Sequence, residues 1–175
     1  NDYSQLLSEE VEITMRSQLV KLRNEEGVEL SVLTIGAFGE FAKPGQSFEQ
    51  FATALFNHWA IGNAATNRGV LLLICQDDRK LRIELGKSFA HSFDARAKRI
   101  IDQTIVPEFK NGRFSRGIER GVKAIHEMVR QPEPAAQSLV PVVPSKPVSA
   151  PESTPTPQGP TPPVSPQPQA ERYPE

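Results

Sequence analysis

The sequence predicts an α/β protein: a three-layer α/β/α sandwich with a small mixed sheet including a central hairpin, followed by a disordered Pro-rich tail. Three observations predict it. Val70-Leu71-Leu72-Leu73-Ile74 is an unbroken apolar run between Gly69 and the polar Gln76-Asp77-Asp78, the pattern of a strand covered on both faces. Leu81, Ile83 and Leu85 then alternate with Lys80, Arg82 and Glu84, so a tight turn returns the chain as a half-exposed strand with its charges outward. Apolar stripes of helical period flank this hairpin on both sides, enough to bury both faces of a sheet.

Taken in order, the elements read α-β-α-β-β-α-α. Ser8 is placed to cap a first helix whose Val11, Met15, Leu19 and Leu22 share one face, and Gly27 stands where a left-handed stop belongs. Val28, Leu30, Val32, Leu33 and Ile35 make a short β-rich run. Ser47 with Gln50 forms a capping box for a second helix with Phe48, Phe51, Ala52, Leu55, Phe56 and Trp59 in one stripe, ended by Gly62. After the hairpin, Asp94 is read as the cap of a third helix carrying Ala97, Ile100, Ile101 and Ile105, which Pro107 ends or kinks. Ser115 is read as the cap of the last, with Ile118, Val122, Ile125 and Val129 inward. Gly117 and Gly121 lie four apart on that helix. Each glycine costs a helix about 1 kcal/mol relative to alanine, so the pair predicts close approach of a neighbouring element.

Composition bounds the rest. Of 16 prolines, 14 follow Gln131, so the folded unit is expected at residues 1–130 and a Pro-rich flexible tail or linker at 131–175. Stretched as polyproline, that tail would reach ~140 Å. A net charge of −1 hides a split. Residues 1–78 hold 5 basic and 11 acidic side chains, and residues 79–130 hold 13 basic and 6 acidic. A single cysteine, Cys75, excludes an internal disulfide, and its apolar surroundings predict a buried, inert thiol. No run approaches ~18 apolar residues, so no membrane-spanning helix is expected. The chain opens at Asn1 without an initiator methionine, and an upstream segment, cleaved or left out, is expected.

Few motifs carry chemistry. Gly86-Lys87-Ser88 follows a strand as a phosphate loop would, but Leu81 stands where that loop needs its first glycine. His58, His91 and His126 are scattered, and His91 with Asp94 is the one His–carboxylate pairing worth following. Arg113, Arg116, Arg120 and Lys123 recur at spacings of 3, 4 and 3 and make one cationic edge. That edge is either a solvated face opposite the core or a surface for an anionic partner or membrane. Nucleic acid is not expected, because no aromatic residues interleave the stripe as stacking platforms.

In combination and order, several segments resemble the TPM domain family, known from thylakoid lumen proteins and bacterial exported proteins. They are Asn1-Asp2-Tyr3, Phe51-Ala52 through Trp59-Ala60-Ile61-Gly62, Gly69-Val70-Leu71-Leu72-Leu73, Asp78 through Gly86, Ile105-Val106-Pro107-Glu108-Phe109 and Gly117-Ile118. The resemblance spans roughly residues 1–130. It implies an α/β/α sandwich and an extracytoplasmic setting (periplasmic, lumenal or secreted/membrane-tethered). Some members are similar to acid phosphatases and bind Ca2+ or another divalent ion such as Mg2+; others act as accessory or assembly factors. Carried over residue by residue, the resemblance implies Asp2, Asn67 and Asp94 as metal candidates. Asp94 and Arg79 are the catalytic candidates, with Arg79 orienting phosphate. Two departures weigh against that site. Asn67-Arg68-Gly69 replaces the family's Asp-Asn-Gly, and Gly86-Lys87-Ser88-Phe89-Ala90 lacks the glutamate of the family's glycine-rich loop. Each lost carboxylate removes a charge that holds a hard cation. The preferred expectation is therefore a non-catalytic interaction or assembly module of the cell envelope with a protein partner, and the alternative is a divalent-metal-dependent phosphatase.

Overall fold

The computed structural model describes residues 1–89 and 91–131. The chain divides into two units, Asn1–Gln137 and Ser138–Glu175. The expected Pro-rich tail lies outside the described residues.

The elements follow the expected order except that the third helix is divided in two: α1 (Glu9–Glu26), β1 (Glu29–Ile35), α2 (Phe48–His58), β2 (Gly69–Cys75), β3 (Lys80–Leu85), α3 (His91–Ile100), α4 (Val106–Lys110) and α5 (Phe114–Arg130). The sheet has the order β1-β2-β3. β1 runs parallel to β2, with Glu29 opposite Gly69 and Ile35 opposite Cys75. β3 runs antiparallel, with Val70 opposite Leu85 and Cys75 opposite Lys80. β2 is therefore central, and all seven of its residues are buried, which is why its sequence shows no polar alternation.

Alternation along β2 divides the core into two layers. Leu71, Leu73 and Cys75 pack with Phe48, Phe51, Ala52 and Phe56 of α2 on one face. Val70, Leu72 and Ile74 pack on the other with Met15 and Leu22 of α1, Ile105, and Ile118, Val122 and Ile125 of α5. The fold is thus a three-layer α/β/α sandwich, with α2 on one face and α1, α3 and α5 on the other.

The capping expectations divide. Gly27 adopts the left-handed conformation at φ 64° and ends α1, and Ser47 with Gln50 forms a full capping box. Ser8 occupies the cap position of α1, but its side chain makes no capping bond. α2 ends at His58, before Gly62. Trp59 follows it and is 36% exposed rather than buried with the stripe. Asp94 lies inside the first turn of α3, not at its cap. Ser115 also lies inside its helix, where its Oγ accepts from the Ser8 backbone N–H at 3.2 Å and ties α5 to the N-terminal loop. Pro107 neither ends nor breaks the third helical run. A π turn over Ile101–Ile105 joins α3 to α4, with the Val106 N–H reaching back to the Ile101 carbonyl. In an α-helix the proline ring would collide with the carbonyl four residues earlier, and widening the preceding turn relieves that.

The N-terminal residues extend the sheet. Asp2 bridges Thr34 in parallel fashion, with the Thr34 N–H donating to the Asn1 carbonyl at 3.0 Å and the Tyr3 N–H to the Thr34 carbonyl at 3.1 Å. Among the described residues no helix is long and apolar enough to cross a membrane.

Candidate functional site

The densest charge arrangement lies where α4 meets α5. Gly117 and Gly121 make that meeting possible. A Cβ on Gly117 would stand 2.8 Å from Phe109 Cδ1 and 3.1 Å from Glu108 Cβ, and one on Gly121 would stand 2.7 Å from Ile105 Cδ1. With both positions bare, α4 lies directly against α5 and Glu108 comes under the arginine stripe. Arg113 Nε donates to Glu108 Oε2 at 2.6 Å, and Arg120 Nη1 donates to Oε1 at 2.5 Å. Arg116 Nε stands 3.8 Å from the same Oε1. The carboxylate side chain is 6% exposed, whereas the three guanidinium side chains are 51–63% exposed.

Three cations on one anion leave this edge net positive. The hydrogen bond from Arg113 holds the Glu108 carboxyl below the usual carboxylate range. Burial works against it, and the hydrogen bond from Arg120 with the charges of Arg113 and Arg116 adds to it. An open cleft of about 380 Å³ adjoins the cluster, lined by Gln5, Leu6, Arg113, Phe114, Ser115 and Arg116. Lys123 lies exposed one turn beyond Arg120. The chemical capacity of this edge is to bind anions, since the guanidinium forks keep donors free after Glu108 is satisfied. The spacing of the stripe was legible in sequence. The partnership with Glu108 was not, because it joins two helices; the mid-helix glycines are the only local sign of that contact.

The metal and phosphate candidates occupy different places. Asp2 Oδ1 accepts from the Leu6 N–H at 3.0 Å, and its Oδ2 accepts from the Leu7 N–H at 2.8 Å. The Thr34 hydroxyl also donates to Oδ1. The carboxylate thus organises the turn that leads into α1. Asn67 stands at the opposite end of the sheet, in the left-handed conformation at φ 51°, with its carbonyl accepting from the Ser88 hydroxyl at 2.9 Å. Five register steps separate Thr34 from the Glu29–Gly69 level, or ~17 Å at about 3.3 Å per residue. One cation, with its ligands at about 2.3–2.6 Å, does not bridge that span. Asp94 lies after β3, in the first turn of α3. Its exposed carboxylate faces His91 Nδ1 at 3.4 Å. Arg79 lies in the β2–β3 turn at φ 52°, at the far end from Asn67. Asp2, Asn67 and Asp94 therefore do not fit one shared cation. Among the described residues no three His, Cys, Asp or Glu side chains gather as a metal-binding group.

Cys75 is buried at the end of β2. Burial, chiefly, with the Asp78 charge behind it, pushes its thiol up to about 12 against a smaller opposing pull from Lys80. The thiolate is scarcely populated at neutral pH, and the residue packs as a small hydrophobe.

Comparison with known proteins agrees with this fold. Residues 1–128 match the family model described as the TPM domain. The N-terminal domain of a Porphyromonas gingivalis protein (P.gingivalis), solved by NMR, is 30% identical, with a TM-score of 0.64 over 73% of this chain and 79% of that one. The N-terminal domain of cg2496 from Corynebacterium glutamicum shares the fold at 10% identity, with a TM-score of 0.56 over 77% of this chain and 82% of its own. BA42 from the psychrophile Bizionia argentinensis shares it at 18% identity, with a TM-score of 0.56 over 73% and 83%. Comparison with curated proteins finds no match. The order of elements, the central hairpin and the family match over most of the chain together place this protein in the TPM domain family.

Proposed function

We propose that the domain is a non-catalytic interaction or assembly module of the cell envelope, working in an extracytoplasmic setting, and that it engages an acidic protein partner through the cationic edge of α5. One observation carries the reading: Arg113, Arg116 and Arg120 surround a single buried carboxylate and remain more than half exposed beside an open cleft. A positive surface of this kind raises the encounter rate with an acidic partner and sets its orientation. An anionic membrane surface is the competing occupant. Binding of poly-L-glutamate, measured beside binding of vesicles rich in phosphatidylglycerol, separates the two. The reading expects tighter polyglutamate binding, at least tenfold weakened by Arg116→Gln with Lys123→Gln. Equal binding by that double variant overturns it. The setting is tested by fractionating cells that make the natural full-length protein with a C-terminal tag; recovery with the cytosol alone overturns that part.

The phosphatase reading rests on membership of the TPM domain family, whose model residues 1–128 match. It requires that Ca2+ or Mg2+ raise the melting temperature and support hydrolysis of p-nitrophenyl phosphate, with Asp94→Ala abolishing both. A flat calorimetric titration at millimolar calcium removes the metal site and that reading with it.

A further inference from the structure

The outer edge of β3 shares no residue with the cationic edge of α5. β3 ends the sheet on one side, and among the described residues no strand pairs with its outer side. The ladder to β2 fixes which backbone groups face outward. The Gly86 N–H donates to the Gly69 carbonyl at 2.8 Å. Antiparallel alternation then puts Glu84, Arg82 and Lys80 in the same bonded class, opposite Leu71, Leu73 and Cys75. The N–H and C=O groups of Leu81, Ile83 and Leu85 therefore point away from β2. Pairing is continuous from Lys80 to Leu85, with no bulge and no proline to blunt the edge.

We propose that two copies of this chain join β3 to β3, antiparallel about a twofold axis at Ile83, and so continue the sheet from one copy into the other. Charge complementarity identifies the occupant. In that register Ile83 faces Ile83 of the second copy and Leu81 faces Leu85, so the outward groups meet as hydrogen-bonded pairs. Arg82 then stands opposite Glu84 of the second copy, and Glu84 opposite Arg82, at the positions where cross-strand side chains come closest. The strand already holds these charges in place. Arg82 Nε donates to Glu84 Oε2 at 2.6 Å, and the Thr53 hydroxyl donates to Glu84 Oε1 at 2.9 Å. The Arg82 side chain is 37% exposed, and its two terminal nitrogens remain as donors for the second copy. Two such pairs brought together in inverted order make a ring of alternating charges. Moving the axis to Arg82 or to Glu84 sets like charges opposite each other, which selects the Ile83 register. Charges on an edge ordinarily repel a second strand; alternating in sign, these admit an inverted copy of the same strand. The contact is isologous, so it closes at two copies. One strand of six residues makes a small interface, and the association is therefore concentration-dependent.

Sedimentation equilibrium of the full chain, from micromolar to millimolar concentration, is expected to show monomer and dimer in exchange. Arg82→Glu and Glu84→Arg each set like charges opposite one another and weaken the dimer by about tenfold or more. An equimolar mixture of the two variants restores association, because each supplies the charges that the other lacks. Arg116→Gln leaves the dimer unchanged. Circular dichroism verifies the fold of every variant. Amide hydrogen exchange reads the edge in the unmodified chain. The Leu81, Ile83 and Leu85 amides slow as concentration rises, whereas those of Arg82 and Glu84, already bonded to β2, do not. A chain that stays monomeric up to about 1 mM overturns the proposal. A dimer that persists undiminished in both charge variants also overturns it, as does one that leaves exchange at those three amides unchanged; either result assigns the association to another surface.

Discussion

Two carboxylates, Asp2 and Glu108, organise neighbouring parts of the molecule by different means. Asp2 accepts from two backbone N–H groups and one hydroxyl, all neutral, so its charge stays with the turn. Glu108 is satisfied by guanidinium groups from Arg113 and Arg120, with Arg116 nearby, so its charge is reversed and its surroundings remain positive. Both acids are structurally committed, yet only one leaves a charged surface behind. Hydrogen-bond satisfaction and net charge are separate properties of a site, and the second decides what can approach it.

The sharpest way to break the comparison is to remove the cations. Arg113→Gln with Arg120→Gln leaves Glu108 buried without its two bonded partners, and breaking such an arrangement from that side costs more than removing the acid itself. The largest fall in melting temperature at pH 7 is expected for this double variant, with much of the loss recovered at pH 4, where the carboxyl can protonate. An unchanged melting temperature would show that the cluster is not what holds α4 to α5.

Asp2→Ala should come next, destabilising by about 2 kcal/mol, since three donors lose a charged acceptor. Urea unfolding monitored by circular dichroism measures it. Asp2→Asn should recover part of the loss, because an amide oxygen still accepts.

Acid should separate the two regions further. The Glu108 carboxyl is lowered from its ordinary value of 4.5 in the fold. Its contribution is therefore fully present above about pH 4.5 and is lost as pH falls through the lower folded value. Thermal melts from pH 7 to pH 2 should show this loss in the wild type and a flatter profile in Glu108→Gln. Matching profiles would exclude Glu108 as a source of acid lability.

The smallest effect belongs to Arg116→Gln. Its guanidinium is 3.8 Å from Glu108 and its side chain is 63% exposed, so the stability change should stay within about 0.5 kcal/mol. Its effect should fall instead on binding to polyglutamate, which separates the two hydrogen-bonded arginines from the more loosely paired one.

Much of the fold was legible in the chain because its signals are local. The apolar run of β2 marks a strand buried on both faces, and the α2 stripe with its Ser47–Gln50 box marks a capped amphipathic helix. Helix entry was less legible. Asp94 and Ser115 are good capping residues, but neither sits at a cap. α3 begins earlier, at His91, and Ser115 bonds a segment more than a hundred residues away. Propensity names residues that can cap; contacts elsewhere decide whether they do.

By itself, then, the sequence determined the order of elements, the central buried hairpin, the close helix contact at Gly117 and Gly121, and the family. The first three follow from periodicity, glycine placement and short-range pattern, and the family from the resemblance of several segments in order. Only the tertiary structure decided that Asp2 and Asn67 stand at opposite ends of the sheet and that Glu108 lies beneath three arginines. Those facts depend on which distant segments the packed helices and sheet bring within a few ångströms, and no local pattern encodes a distance between them.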